Sequence, residues 1–148
     1  MARYVVTGGA GFIGSHIVEY LVNNNQEVVV IDNFTTGLRE NLEPFKDRID
    51  LHEVDLRNAA GVEAAIEGAD YVLHQGALPS VPRSIQNPHD SHEVNVTGTL
   101  NVLMAARKAG VKRVVYAASS SAYGDSEEAV KCEEMIPRPI SPYGVSKL

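Results

Sequence analysis

The sequence predicts an α/β fold, a doubly wound parallel sheet with helices on both faces. Three observations predict it. Four short runs, residues 4–6, 28–31, 71–73 and 114–118, are nearly continuous in apolar residues and rich in β-branched ones, as in strands buried on both faces. Segments of helical periodicity separate those runs and give a β-α-β-α order. Four glycines, Gly8, Gly9, Gly11 and Gly14, crowd the junction between the first run and the first helix.

Each element carries its own signal. Ile13, Ile17, Val18 and Leu21 make one apolar helical face, which ends at residues 23–25, all asparagine. Residues 28–31 run into Asp32. Residues 49–54 predict a more exposed edge strand, because polar residues lie between Ile49, Leu51 and Val54. A second helix covers residues 62–66 and closes at Gly68. The longest helix spans residues 88–108, with Asn87 as its cap, Pro88 at its first position and Gly110 just past its end. The run 114–118 leads into Ser119, Ser120, Ser121, Ala122, Tyr123 and Gly124. Finally, Ser141 caps a helix that Pro142 opens, with Tyr143 and Lys147 four apart on one face.

Composition excludes several classes. The 148 residues suit one domain, and 13 Lys and Arg against 19 Asp and Glu give a net charge of −6. No basic stripe exists to meet nucleic-acid phosphates, and no apolar run approaches the roughly 18 residues of a membrane span. The N-terminal residues lack a secretory pattern. The one cysteine, Cys132, has no internal disulfide partner, which fits a reducing cytoplasm. The histidines His16, His52, His74, His89 and His92 offer no metal set, since only His89 and His92 are spaced as a pair and no third ligand is in view. Glu127, Glu128, Glu133 and Glu134 read as a solvated loop.

The chemistry begins at the glycines. Residues 9–14 fit G-x-G-x-x-G, and Gly8, Gly11 and Gly14 also fit G-x-x-G-x-x-G. Bare backbone lets amides close on a pyrophosphate and lets the helix pack near the strand. No acidic residue occupies positions 12–16, so the positive helix end is free for an anion. Asp32, 18 positions after Gly14, can accept bonds from both hydroxyls of an adenosine ribose and repels a 2′-phosphate, which favours NAD over NADP. A phenol ordinarily ionises near pH ~10. An ammonium at Lys147 favours the phenolate of Tyr143, a candidate general base. A serine among residues 119–121, at the carboxyl end of a strand, lies where a substrate hydroxyl would bind. Asn95, in an otherwise apolar helical stretch, needs a polar partner, either in the core or at a ligand.

Taken in order, TGGAGFIGS, Asp32-Asn33-Phe34, Asp55-Leu56, His74-Gln75-Gly76-Ala77, Asn95-Val96-Thr97-Gly98-Thr99, the 119–124 run and Tyr143-Gly144-Val145-Ser146-Lys147 closely resemble the extended short-chain dehydrogenase/reductase family. Within it they resemble the UDP-sugar 4-epimerases, over essentially the whole chain. The resemblance implies a Rossmann fold and NAD as cofactor. The amides of Phe12 and Ile13 would meet the pyrophosphate. Asp32 would hold the adenosine ribose, with Asn33, Phe34 and Gly37 beside it. Asp55 and Leu56 would flank the adenine, Gln75, Gly76 and Ala77 would line the middle of the cofactor, and Asn95 would lie near it. Lys147 would bind the nicotinamide ribose and Tyr143 would act as base. Ser119, four residues before Tyr123, would be the catalytic serine, with Ser120 as its competitor. Ser80, Val81 and Ser121 would lie near the sugar.

The implied activity is 4-epimerisation of a UDP-sugar by transient oxidation at C4, on UDP-glucose and UDP-galactose or on the N-acetylhexosamine pair. The alternatives are decarboxylation or dehydration within the same family, or an NAD-binding module without catalysis. Pro79 stands where many UDP-galactose 4-epimerases carry lysine, and GALPSVPRS, with Arg83, looks more like the branch acting on UDP-N-acetylhexosamines or UDP-uronates. Ser120 and Ser121 replace the Asp-Glu that usually follows the catalytic hydroxyl of sugar dehydratases, which favours epimerisation. Family members continue for a comparable length. The resemblance therefore implies that residues 1–148 are the N-terminal NAD-binding domain, without the C-terminal substrate domain, of a protein that forms a homodimer partly through the long helix.

Overall fold

The central strands follow from their side chains. In β1 (Arg3–Thr7) and β2 (Glu27–Asp32), successive valines and isoleucines point to opposite faces. Val5, Val29 and Ile31 enter one core with Val62, Ile66 and Val102, whereas Val6, Val28 and Val30 enter the other with Val18, Leu21 and Val22. Each buried valine contributes about 1.5–2 kcal/mol of apolar transfer. The computed structural model describes residues 1–128 and 130–148. It adds β3 (Asp50–Glu53), β4 (Tyr71–His74) and β5 (Arg113–Tyr116), and the five parallel strands lie in the order β3-β2-β1-β4-β5.

Helix α1 (Phe12–Asn23) covers one face, while α2 (Ala59–Ile66) and α5 (Gly98–Ala109) cover the other. Short helices α3 (Val81–Gln86), α4 (Pro88–His92) and α6 (Pro142–Ser146) gather near the carboxyl ends of β4 and β5. The order reverses at β1, which is flanked by β2 and β4. Loops leaving β1 and β4 diverge there and open the crevice where such sheets take ligands.

Three features depart from the sequence reading. β5 stops at Tyr116, short of Ala117 and Ala118, and is an edge of this sheet, with Val115 49 % exposed. The apolar run 114–118 extends past the strand end, into the loop that carries Ala117 and Ala118. The predicted helix 88–108 is divided by a π-helical turn, Glu93–Thr97, where the Thr99 hydroxyl donates to the Asn95 carbonyl at 2.6 Å. Such back-bonding loosens a helix locally. Helix α3 has a sequence signal that the periodicity hid, a Ser80 cap accepting from the Arg83 amide and Pro82 in the first turn.

Candidate functional site

The glycine turn is packed backbone on backbone. Gly8 has φ +68°, and a Cβ there would lie 2.7 Å from the Gly76 nitrogen. A Cβ on Gly14 would lie 2.1 Å from the Gly8 carbonyl oxygen. Only glycine allows β1, α1 and the loop after β4 to approach this closely. Gly11 is the N-cap of α1 and supplies no side-chain acceptor, and the first turn holds no acid. The amides of Phe12, Ile13 and Gly14 find no acceptor among the described residues. They and the helix dipole form an anion cradle.

Asp32, 8 % exposed, ties β2 to that turn. Its Oδ2 accepts from the Ala10 amide at 2.9 Å and its Oδ1 from the Phe34 amide at 2.8 Å, and each oxygen keeps a lone pair for a ligand hydroxyl. Gly37 packs against it, since a Cβ there would lie 3.1 Å from Asp32 Oδ1. Beside it, Asp55 is gripped by Arg57, whose Nε and Nη2 donate to Oδ1 and Oδ2 at 2.9 and 2.7 Å, while Asn33 Nδ2 donates to Oδ2 at 2.9 Å. The Arg57 hydrogen bonds hold the Asp55 carboxyl down to about 2, so it presents a fixed anion. Asp32, Asn33, Asp55, Leu56, Gly76 and Ala77 line one cleft. Phe34, at φ +55°, directs its ring away under the Arg39 guanidinium, 3.9 Å from the centroid, and lines neither this cleft nor the next.

A second groove continues from the first. It joins Gly8, Gly11, Phe12, Ile13, Gly14, Asp32 and Gly37 to Gln75, Gly76, Ala77, Pro79, Ala117, Ala118, Tyr143 and Lys147. Helix α6 holds Tyr143, and Lys147 is its C-cap. The Ser141 hydroxyl caps it by accepting from the Gly144 amide at 3.0 Å, and the Ser84 hydroxyl accepts from the Tyr143 amide at 3.0 Å. Asn95 donates through Nδ2 to Ser146 Oγ at 3.0 Å and to the Leu78 carbonyl at 3.1 Å, and its Oδ1 accepts from the Leu78 amide at 2.7 Å. Its amide is thus spent on tying the loop after β4 to α6, and Asn95 lines neither groove. Lys147, 5 % exposed, donates through Nζ to the Ala117 carbonyl at 2.9 Å. Burial pushes its ammonium pKa down.

Ser119 and Ser120 line an adjoining hollow with Lys147. Ser119 Oγ accepts from the Ser121 amide at 3.2 Å and keeps its own proton to donate. The Ser121 carbonyl oxygen accepts from the Gly124 amide at 3.3 Å and packs against α6, where a Cβ on Gly144 would lie 2.7 Å from it. Ser80 follows the groove residue Pro79 and is held at φ +115°, a strained conformation of the kind that clusters at ligand sites. Val81 opens α3 directly after it.

Beneath the cleft lies a buried relay. His74, 1 % exposed, has Nδ1 2.5 Å from Thr7 Oγ1 and Nε2 2.9 Å from Thr99 Oγ1. Thr99 gives its only proton to the Asn95 carbonyl, so it accepts from His74 Nε2–H. Thr7 then donates to Nδ1, while its oxygen accepts from the Gly76 amide at 3.0 Å. The neutral ring satisfies every partner. Burial, then the nearby Lys147 charge, lowers the His74 pKa to about 4. A group whose folded pKa lies below its unfolded value of about 6.5 binds fewer protons folded than unfolded between the two, so stability is lost as the pH is lowered through that window. The unfolding free energy is expected to drop by about 2 kcal/mol from pH 7 to pH 5, and urea denaturation at the two values measures it. Equal midpoints would contradict a neutral buried ring.

Sequence reasoning missed Arg57, Ser84, Thr7 and Thr99. The Asp55-x-Arg57 spacing and the Asn95/Thr99 i,i+4 pair were legible signals, whereas the Ser84 contact with Tyr143 joins residues 59 apart and leaves none. Among the described residues no cluster of His, Cys, Asp or Glu could hold a metal ion, and no helix is long and apolar enough to cross a membrane.

A putative UDP-glucose 4-epimerase of Methanocaldococcus jannaschii is 39% identical over 146 residues, 97% of this chain and 47% of that protein. The crystal structure of the Thermus thermophilus UDP-glucose 4-epimerase in complex with NAD superposes with a TM-score of 0.87 at 45% identity, covering 98% of this chain and 47% of that one. The UDP-N-acetylglucosamine 4-epimerase of Methanobrevibacter ruminantium does so with 0.92 at 36% identity, over 99% and 47%. The chain therefore spans about half the length of the relatives it matches. Residues 4–148 match the NAD dependent epimerase/dehydratase family, and with the glycine cradle, Asp32 and the Tyr143–Lys147 helix in one crevice, this chain belongs to that family and takes NAD as its cofactor.

Proposed function

We propose that this chain is the N-terminal, NAD-binding part of an enzyme that interconverts UDP-sugars epimeric at C4. The observation that carries the reading is the single groove running from the glycine turn to Tyr143 and Lys147. The free amides of Phe12 and Ile13 suit the pyrophosphate, and the open lone pairs of Asp32 suit the adenosine ribose, with Asn33, Phe34 and Gly37 supporting that end. Asp55 and Leu56 take the adenine, Gln75 to Ala77 the middle of the cofactor. Bound NAD supplies the acceptor, and on the return step the donor, of hydride at C4.

This chain's own residues handle the proton. Tyr143 removes it from the sugar 4-hydroxyl and returns it after the sugar presents its other face. The Lys147 ammonium supplies the positive charge at that end of the groove and binds the nicotinamide ribose. Ser119 donates to the same sugar oxygen, while Ser80, Val81 and Ser121 border the sugar. Ser120 and Ser121 are hydroxyls, not the acids that eliminating water requires, which supports epimerisation over dehydration. The exposed Leu100, Leu103 and Met104 of α5 support pairing of two copies through that helix.

Incubating the native protein with UDP-glucose, UDP-N-acetylglucosamine and UDP-glucuronate tests the reading. The expected product is the C4 epimer of at least one, with neither water nor carbon dioxide lost. A 4-keto-6-deoxy sugar or a pentose as sole product would replace it. The 148-residue chain alone is expected to bind NAD without turning over any of the three.

A further inference from the structure

We propose that Tyr116 and His74 form a stacked platform that fixes the Lys147 ammonium, making both of them positioning residues for the proton chemistry at Tyr143. The proposal rests on the role given to Lys147 above. Lys147 Nζ makes one hydrogen bond, to Ala117, and no carboxylate among the described residues pairs with it. It also lies over the Tyr116 ring, whose centroid is 4.7 Å from Nζ. A cation held over an aromatic face is attracted by the ring quadrupole, more strongly where water is excluded.

The ring itself is fixed on two sides. Its hydroxyl donates to the Ser146 carbonyl at 3.3 Å, one residue before Lys147. The His74 imidazole stacks on it, centroids 5.7 Å apart and planes at 30°. The Thr7 and Thr99 hydroxyls lock that imidazole in its Nε2–H tautomer. A neutral ring is required here, because an imidazolium stacked on Tyr116 would repel the ammonium held against the same ring. The titratable groups facing Lys147 are thus His74 on β4, Tyr116 on β5 and Tyr143 on α6. The platform reaches from Thr7, beside the glycine turn, to Lys147 without entering the cleft.

Lysine side-chain NMR on the 148-residue chain tests the geometry without any turnover. The chain has five lysines, so Lys147 is assignable by Lys147→Arg. Its ε-methylene signals are expected to shift upfield through the ring current in the wild type and in Tyr116→Phe, and to return to the ordinary position in Tyr116→Leu. Ordinary signals in the wild type, or an upfield shift kept in Tyr116→Leu, would overturn the platform. In the native protein, Tyr116→Leu and His74→Gln are expected to move the acid limb of kcat to higher pH by about one unit. KM should stay within about twofold, and Tyr116→Phe should restore the limb. An unmoved limb in folded Tyr116→Leu sinks the proposal, and one in folded His74→Gln removes His74 from it. If the native protein turned over no nucleotide sugar, the catalytic reading would fail while the lysine spectra still decided the platform.

Discussion

Tyr143→Phe in the native protein is expected to lower kcat by about 10²- to 10⁴-fold, the range for a lost general acid–base group, while NAD affinity stays near the wild-type value. The split follows from where the residue sits. The amides of Phe12 and Ile13 and the Asp32 carboxylate, which hold the adenosine diphosphate end in the proposed function, lie across the groove from α6. Removing one phenolic oxygen leaves the ring, the Ser84 contact to the Tyr143 backbone and the Lys147 anchor in place. Steady-state turnover with the best UDP-sugar, alongside NAD titration by fluorescence, measures both halves. Turnover within threefold of wild type would remove Tyr143 from the chemistry, and lost NAD binding would make it a structural residue.

Gly14→Ala is expected to have the largest effect on cofactor binding. The added methyl would lie 2.1 Å from the Gly8 carbonyl oxygen and 2.8 Å from its carbon. Backbone cannot swing aside as a flexible side chain can, so either the turn opens or α1 withdraws from β1. Forced overpacking of this kind costs about 1–3 kcal/mol, and sometimes more. The same displacement moves the Phe12 and Ile13 amides off their positions, so NAD affinity should fall by at least about tenfold. Gly68→Ala is the control. That glycine has φ +74° with nothing within 4 Å of its Cβ, so it should cost about 1 kcal/mol through backbone strain alone and leave NAD binding intact. Urea midpoints and NAD titrations on the three chains separate the cases. Normal affinity in Gly14→Ala would mean that the turn does not close on a phosphate.

What the sequence made legible was local. The glycine spacing, Asp32 after an apolar run and the Ser141-Pro142 start of α6 are short-range signals, each with one physical cause, and the structure has a turn, a strand end and a helix at those places. The edge strand at residues 50–53 was also readable, because polar residues interrupt it. Relations across the sheet were not. Nothing near Asn95 in the chain announces that it clamps Leu78 to Ser146, and nothing near His74 announces that Thr7 and Thr99 satisfy both ring nitrogens. Parallel pairing sets strands 67 residues apart side by side, as with Thr7 and His74, and periodicity within a window of a dozen residues cannot report that.

The two valine-lined cores and the ligand-facing loops share few side chains. Val5, Val6, Val29, Val30 and Val72 are wholly sealed, whereas Pro79, Ser80 and Ser119 hang on connections beyond the strand ends. Mutational drift in those connections leaves the buried scaffold untouched. A lineage carrying this architecture is therefore free to change what those loops bind while its melting behaviour stays nearly constant.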